Sequence, residues 1–220
     1  MRTAVFDLDG TLADTAADLI AAANAVLAEG GHGASLDLAR DRATAFAGGL
    51  AMLRTGLARA GGDEAAAEAL YPRLLERYAA ALAVETRLYD GAEAALDRLE
   101  ADGWRLAVCT NKPERLARLL LEALGVAGRF AALLGADTLP WRKPDPRHLT
   151  ETILRAGGDL RRAALVGDTA SDREAARAAG IPCVLVGFGP EAGAVYGLRA
   201  EAVVAHFTEL PAVLERLVPA

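Results

Sequence analysis

Lysine is nearly absent from this chain of 220 residues: among 24 basic residues only Lys112 and Lys143 are lysines, and the rest are arginines. Arginine presents a planar fork and lysine a compact point charge, so two isolated lysines are either chance or places where a point charge is wanted. Histidine is scarce as well. His32, His148 and His206 form no cluster in the sequence, which argues against a histidine metal site or base. The two cysteines, Cys109 and Cys183, sit inside apolar runs without a C-x-x-C spacing. They read as small buried hydrophobes, imply no disulfide framework and fit a reducing compartment. The net charge of -6 lacks the basic excess that nucleic-acid or membrane-surface binding requires, so neither partner is expected. No run approaches about 18 uninterrupted apolar residues, so no transmembrane helix is expected. The apolar stretch Thr3–Phe6 is too short for a secretory leader, and a cytoplasmic protein is the expectation.

Hydrophobic residues are plentiful, at 53%, enough to fill a large core. Short apolar runs recur at Thr3–Phe6, Leu106–Cys109, Ala131–Leu134, Ala163–Val166, Cys183–Val186 and Val203–Val204. Unbroken apolar runs suit strands buried on both faces, as in parallel sheets. Helical patterns at Gly91–Ala101, Glu114–Leu124, Pro146–Ala156 and Ser171–Ala179 supply the crossovers of an open α/β sheet. One interval breaks the alternation. From Thr15 to Val84 the spacing is helical throughout, over Ala16–Glu29, Leu36–Phe46, Leu50–Ala60 and Ala65–Leu82. The expected organisation is an α/β core of residues 1–14 and 85–220 with a helical insertion at 15–84.

In open α/β sheets ligands bind beyond the carboxyl ends of the strands. Those ends carry Asp7-Leu8-Asp9-Gly10-Thr11, Thr110-Asn111-Lys112 and Gly167-Asp168-Thr169-Ala170-Ser171-Asp172, with Lys143 in a loop before a helix. Carboxylates gathered at one edge need a partner once desolvated, and magnesium, which takes oxygen ligands and shares them with phosphate, is the natural one.

The run F-D-L-D-G-T-L at Phe6–Leu12 resembles the first motif of the haloacid-dehalogenase superfamily. Thr110 is similar to its second motif, Lys143 to the third, and Gly167-Asp168 with Asp172 to the fourth, in the family's order. The resemblance implies a Rossmann-type open parallel sheet between helical layers, with a small inserted helical cap of the C1 type. It also implies Mg2+-dependent phosphoryl transfer. Asp7 would be the nucleophile and a metal ligand. Asp9 would be the general acid and then base, with its backbone carbonyl on the metal. Asp168 would ligate the metal directly and Asp172 would support it. Thr110 and Asn111 would bind the phosphoryl oxygens, Lys143 would pair with nucleophile and phosphoryl, Gly10 would allow close approach and Thr11 would place it.

Other residues have plainer readings. Asp14 is either a hinge acid or a helix cap, and Asp137 and Asp145 are loop and cap residues. Lys112 is a surface cation beside Pro113, or else a phosphate contact. The run Gly187–Gly193 has a displaced third glycine and Pro190 within it, and is rejected as a dinucleotide fingerprint.

The finer motifs T-N-K-P at Thr110–Pro113, K-P-D-P at Lys143–Pro146, V-G-D-T-x-x-D at Val166–Asp172 and A-A-x-A-A-G at Ala175–Gly180 resemble the phosphoglycolate-phosphatase branch. That implies hydrolysis of 2-phosphoglycolate, a small phosphate ester, to glycolate and phosphate. Two departures exist: Ala47-Gly48-Gly49 replaces a G-x-G, and Ala200-Glu201 stands for a Pro-Asp. Arg54 and Arg59 are candidates for a substrate carboxylate. The insertion has no lysine for a phosphonatase Schiff base, and a dehalogenase needs no acid at position 9. Phosphatases of sugar phosphates, nucleotides or pyrophosphate, a β-phosphoglucomutase-like mutase and a non-catalytic binding protein stay as alternatives. The expected assembly is a monomer or homodimer.

Overall fold

A computed structural model of the chain describes residues 1–33, 35–190 and 193–220. In chain order the elements are β1 (Thr3–Phe6), β2 (Ala13–Asp14), α1 (Ala16–Glu29), α2 (Leu38–Phe46), α3 (Gly49–Arg59), α4 (Ala67–Ala80), β3 (Arg87–Leu88), α5 (Ala92–Ala101), β4 (Arg105–Cys109), α6 (Glu114–Ala123), β5 (Phe130–Leu134), α7 (Pro146–Arg155), β6 (Ala163–Gly167), α8 (Ala170–Ala179), β7 (Cys183–Val186), β8 (Ala202–Val204) and α9 (Leu210–Leu217). The chain divides into two compact units, Met1–Ala13 with Leu88–Ala220, and Asp14–Arg87. These boundaries, at 13/14 and 87/88, fall within β2 and β3, whereas the sequence pattern puts the junctions at 14/15 and 84/85.

In the larger unit six strands form a parallel sheet in the order β5-β4-β1-β6-β7-β8. β1 lies in the middle, and every residue of β1, β6 and β7 is buried, which is why these runs are apolar without alternation. Helix α7 packs on β4 and β5 and α8 on β6 and β7, while α5 packs on β4 and against α9. Val5, Ala107, Cys109, Leu149, Ile153, Leu165, Ala176 and Cys183 share one core cluster. Because order reverses at β1, its carboxyl end opens between the ends of β4 and β6. Phe6 is level with Val108 on one side and Val166 on the other, so Asp7 emerges one residue beyond that level and Thr110 and Asp168 two residues beyond it, at the same edge of the sheet.

The smaller unit is helical, with α1 packed on α2, α3 and α4. Asp18 in the first turn of α1 ties down the exit strand: its carboxylate accepts from the backbone N–H of Glu85 at 3.0 Å, that of Thr86 at 2.9 Å and the Thr86 hydroxyl at 2.7 Å. The long helix read at Ala65–Leu82 is instead a 3-10 turn at Glu64–Ala66, capped by Asp63, followed by α4.

Arg59 is not free for a substrate. Both of its terminal nitrogens reach the buried Asp41 carboxylate at 2.6 Å, holding that acid well below the usual carboxylate range. A buried carboxylate claims the fork because it has no water to turn to. Arg54 pairs with Glu68 at 2.5 Å on the surface. Arg59→Ala is expected to lower stability by about 2 kcal/mol, since the buried Asp41 would lose its two-pronged partner and keep only the Asp37 N–H at 2.7 Å and Arg40 at 3.4 Å. Urea unfolding at neutral pH checks this; a loss near zero would show that Asp41 finds another partner.

Candidate active site

The turn after β1 delivers the first acids. The N–H of Asp7 still donates to Val166 O at 2.9 Å, so Asp7 is held in the sheet frame. Its Oδ1 accepts from Leu8 N at 2.7 Å and lies 3.0 Å from Lys143 Nζ. The backbone then folds sharply, with Gly10 N on Ala13 O at 2.9 Å and Leu12 N on Leu8 O at 3.0 Å. Gly10 adopts φ +81°, and a Cβ there would sit 2.5 Å from Asp168 Oδ2. Gly10→Ala is therefore expected to cost about 1–3 kcal/mol and to depress turnover at least about tenfold, by strain and by pushing Asp168 aside. Thermal unfolding with initial rates checks it; a variant with unchanged rates would separate Gly10 from the site.

β6 leads directly into α8, and the junction carries the second group of acids. Thr169 caps α8: its hydroxyl accepts from Asp172 N while Asp172 Oδ2 accepts from Thr169 N at 3.1 Å, a reciprocal capping box. The Thr169 hydroxyl also lies 2.6 Å from Asp172 Oδ2. Asp172 Oδ1 holds Lys143 Nζ at 2.6 Å. Both oxygens of Asp172 are thus engaged, and it orients Lys143 while starting the helix. Thr11, fully buried, donates its hydroxyl to Asp168 Oδ1 at 2.7 Å, so its contact is with this acid.

Carboxylate oxygens of Asp7, Asp168 and Asp172 lie within 4.8 Å of one another, all buried. Burial, with the neighbouring acid Asp172 adding to it, pushes Asp7 up from 3.8 to about 6 even against the attraction of Lys143. Burial and then the charges of Asp7 and Asp172 raise Asp168 well above the usual carboxylate range. Burial works against the Lys143 ammonium, but Asp172 and Asp7 outweigh it and hold its pKa above the usual lysine range. Asp168 Oδ2 is buried with no hydrogen-bond partner among the described residues. An orphaned, desolvated oxygen inside an all-oxygen donor set fits a hard divalent cation such as Mg2+.

β4 contributes Thr110, buried at the strand tip, with its N–H on Leu134 O at 3.0 Å. Asn111 uses its side chain in a way the sequence did not suggest: Nδ2 donates to Lys143 O at 3.0 Å and anchors that loop. Lys112 corrects the surface reading. It is buried, and its Nζ reaches the Asp9 carboxylate at 2.8 and 3.1 Å. The signal that could have found it was the rarity of lysine in the chain.

The remaining candidates lie elsewhere. Asp14 pairs with Arg42 and accepts from Ala16 N at 3.4 Å. Asp137 caps α6 through Glu114 N at 2.7 Å, and Asp145 caps α7 through Arg147 N at 3.0 Å. His148 is buried between Cys109 Sγ at 3.5 Å and Gly135 O at 3.1 Å. Burial lowers this imidazole to about 4 and raises the Cys109 thiol to about 12, so neither is poised to react. In the Gly187–Gly193 run, Glu191 and Ala192 lie outside the described residues. Phe188 stacks between Tyr89 and Phe207 at centroid distances of 5.1 Å, and a Cβ on Gly189 would meet Gly10 O at 2.8 Å. Those described residues wedge the loop against the turn after β1. Among the described residues no helix is long and apolar enough to cross a membrane.

The family model of haloacid dehalogenase-like hydrolases matches residues 4–186. A phosphoglycolate phosphatase of Mesorhizobium japonicum is 44% identical over 219 residues, covering 98% of this chain and 96% of the relative. One from Agrobacterium fabrum is 42% identical, covering 98% and 93%. The crystal structure of CbbY from Rhodobacter sphaeroides in complex with phosphate superposes with a TM-score of 0.78 at 25% identity, covering 98% of this chain and all of that one. Four motifs in order, a parallel sheet that gathers them and full-length relatives together place the chain in the haloacid dehalogenase-like hydrolase family.

Proposed function

We propose that the chain hydrolyses 2-phosphoglycolate to glycolate and phosphate, with Mg2+ and with the phosphoryl group carried transiently on Asp7. The observation that carries this reading is Asp7 itself, a buried carboxylate at the tip of the central strand, 3.0 Å from a buried lysine and clustered with Asp168 and Asp172. The names of the relatives at 44% and 42% identity support the substrate.

In the first step an oxygen of Asp7 attacks phosphorus. The bond from phosphorus to the glycolate oxygen breaks, and that oxygen takes a proton from Asp9. In the second step water attacks the phosphorus of the aspartyl-phosphate, gives a proton to Asp9, and frees Asp7 and phosphate. Lys143, fixed by Asp172 and Asn111, holds Asp7 in place and sets positive charge beside the transferring group. The Thr110 hydroxyl, one residue further along the neighbouring strand register than Asp7, would donate to a phosphoryl oxygen. Asp7 and Asp168 would hold the Mg2+, with Asp172 in support and the Asp9 carbonyl completing the set; when bound, the ion supplies charge stabilisation to phosphoryl oxygens. Two free, buried cysteines fit a reducing compartment such as the cytoplasm.

The test is an initial-rate panel of small phosphate monoesters with Mg2+ and no sugar bisphosphate. Free phosphate from 2-phosphoglycolate at the highest kcat/KM of the panel is expected. Chelation with EDTA should abolish the rate and Mg2+ restore it. A better sugar phosphate or nucleotide would move the substrate, and activity indifferent to chelation would remove the metal.

A further inference from the structure

The two lysines of the chain divide between the two acids that the proposed chemistry uses. Lys143 is on Asp7, and Lys112 is on Asp9. We infer that Lys112 is a positioning residue that holds the Asp9 carboxylate where proton transfer to the leaving oxygen and from water takes place; this rests on the reading of Asp9 as acid and base.

The geometry is that of a fixed tether. Lys112 Nζ reaches both carboxylate oxygens, at 2.8 and 3.1 Å, so the ammonium straddles the group instead of touching one corner. The lysine side chain is 4% exposed and the Asp9 side chain 20%, so the pair is shielded on the lysine side and open on the acid side. A long flexible side chain is a good tether only if its root is immobile, because each free rotamer costs entropy. Here the root is pinned three ways. Lys112 N donates to Thr110 Oγ1 at 3.2 Å, and Lys112 O accepts from Ala136 N at 2.9 Å. A Cβ on Gly135 would lie 2.7 Å from that same carbonyl, so the neighbouring loop seats directly against it. Lysine is almost never buried without a partner, and exposed arginines serve nearly everywhere else in this sequence. A point charge fits where a planar fork would compete for the space needed by a leaving group.

A group that acts through Asp9 should matter most where Asp9 matters. The experiment measures single-turnover and steady-state rates of Lys112→Met, Asp9→Asn and the double variant, with 2-phosphoglycolate and with p-nitrophenyl phosphate. Lys112→Met is expected to lower the single-turnover rate on 2-phosphoglycolate about 100-fold, with KM changed less than about threefold. On p-nitrophenyl phosphate, whose leaving group departs without a proton, the drop should stay under about fivefold. On the Asp9→Asn background the same change should add less than about threefold, because coupled residues are not additive. Lys112→Arg should recover part of the rate. Equal losses on both esters, a full loss on the Asp9→Asn background or a loss confined to KM would each overturn the tether. Near-normal activity of Asp9→Asn would instead overturn the acid–base reading beneath it. Should Lys112→Met fail to fold by circular dichroism, Lys112→Gln carries the same comparison.

Discussion

Asp7→Asn is expected to lose at least about 10⁴-fold in kcat while folding normally, and in metal-free buffer at pH 8 to be more stable than the parent protein. The two effects have one origin. An amide cannot attack phosphorus, so the covalent route closes. The same amide removes a charge that the fold holds at a cost: burial carries the Asp7 carboxyl from 3.8 to about 6. Between those two values the folded protein keeps a proton that the unfolded chain has released. Stability of the metal-free protein therefore falls as pH rises through this window, and the loss is complete above it. A shift of this size corresponds to on the order of 2–3 kcal/mol, absent in the variant. Urea unfolding in EDTA at pH 4 and pH 8 checks it. The variant should gain over the parent at the higher pH and match it at the lower. A variant less stable at pH 8 would mean that the contact with Lys143 outweighs the cost of burying Asp7 as a carboxylate.

Lys143→Met should have the opposite signature, losing both activity and stability. The lysine is 2% exposed and is the counter-charge of Asp7 and Asp172. Removing one partner of a buried ion network leaves charge without compensation, which costs about 3–5 kcal/mol. The remaining carboxylates would then bind protons more readily in the folded protein. Acidification should thus restore part of the loss, and the deficit should be larger at pH 8 than at pH 5. Turnover should drop at least about 10³-fold, since the positive charge beside the transferring phosphoryl is gone. Thermal unfolding across pH, with rates at saturating Mg2+, provides the check. A deficit independent of pH would indicate lost packing in place of lost charge, and undiminished kcat would detach Lys143 from the chemistry.

The acids were legible because their positions follow from local pattern. An apolar run that stops at Asp7 or at Asp168 declares both the strand and its carboxyl end, and an open parallel sheet uses that end for ligands. The strands of the sheet follow in the same way from unbroken apolar runs, and the helical stretch at 15–84 from a spacing of 3.6 residues. Arginine and lysine partners were not legible by this route. Arg59 looked equal to Arg54 on one helix, yet one grips a buried aspartate and the other a surface glutamate. Asp172 and Thr11 carried the family's motif, but which neighbour each oxygen takes depended on how β6, α8 and the loop holding Lys143 come together.

By itself, then, the order of residues determined where strands end, which acids stand at those ends and that a helical segment interrupts the alternation. These are properties of a few consecutive residues and their periodicity. Only the tertiary structure decided that Lys112 lies buried on Asp9, that Asp172 spends both oxygens on Lys143 and a helix start, and that Asp168 keeps one oxygen without a partner among the described residues. The pairings are settled by desolvation, which penalises each buried polar group for the lack of a partner and so joins residues far apart in the sequence, Lys112 and Asp9 by 103 positions and Thr11 and Asp168 by 157.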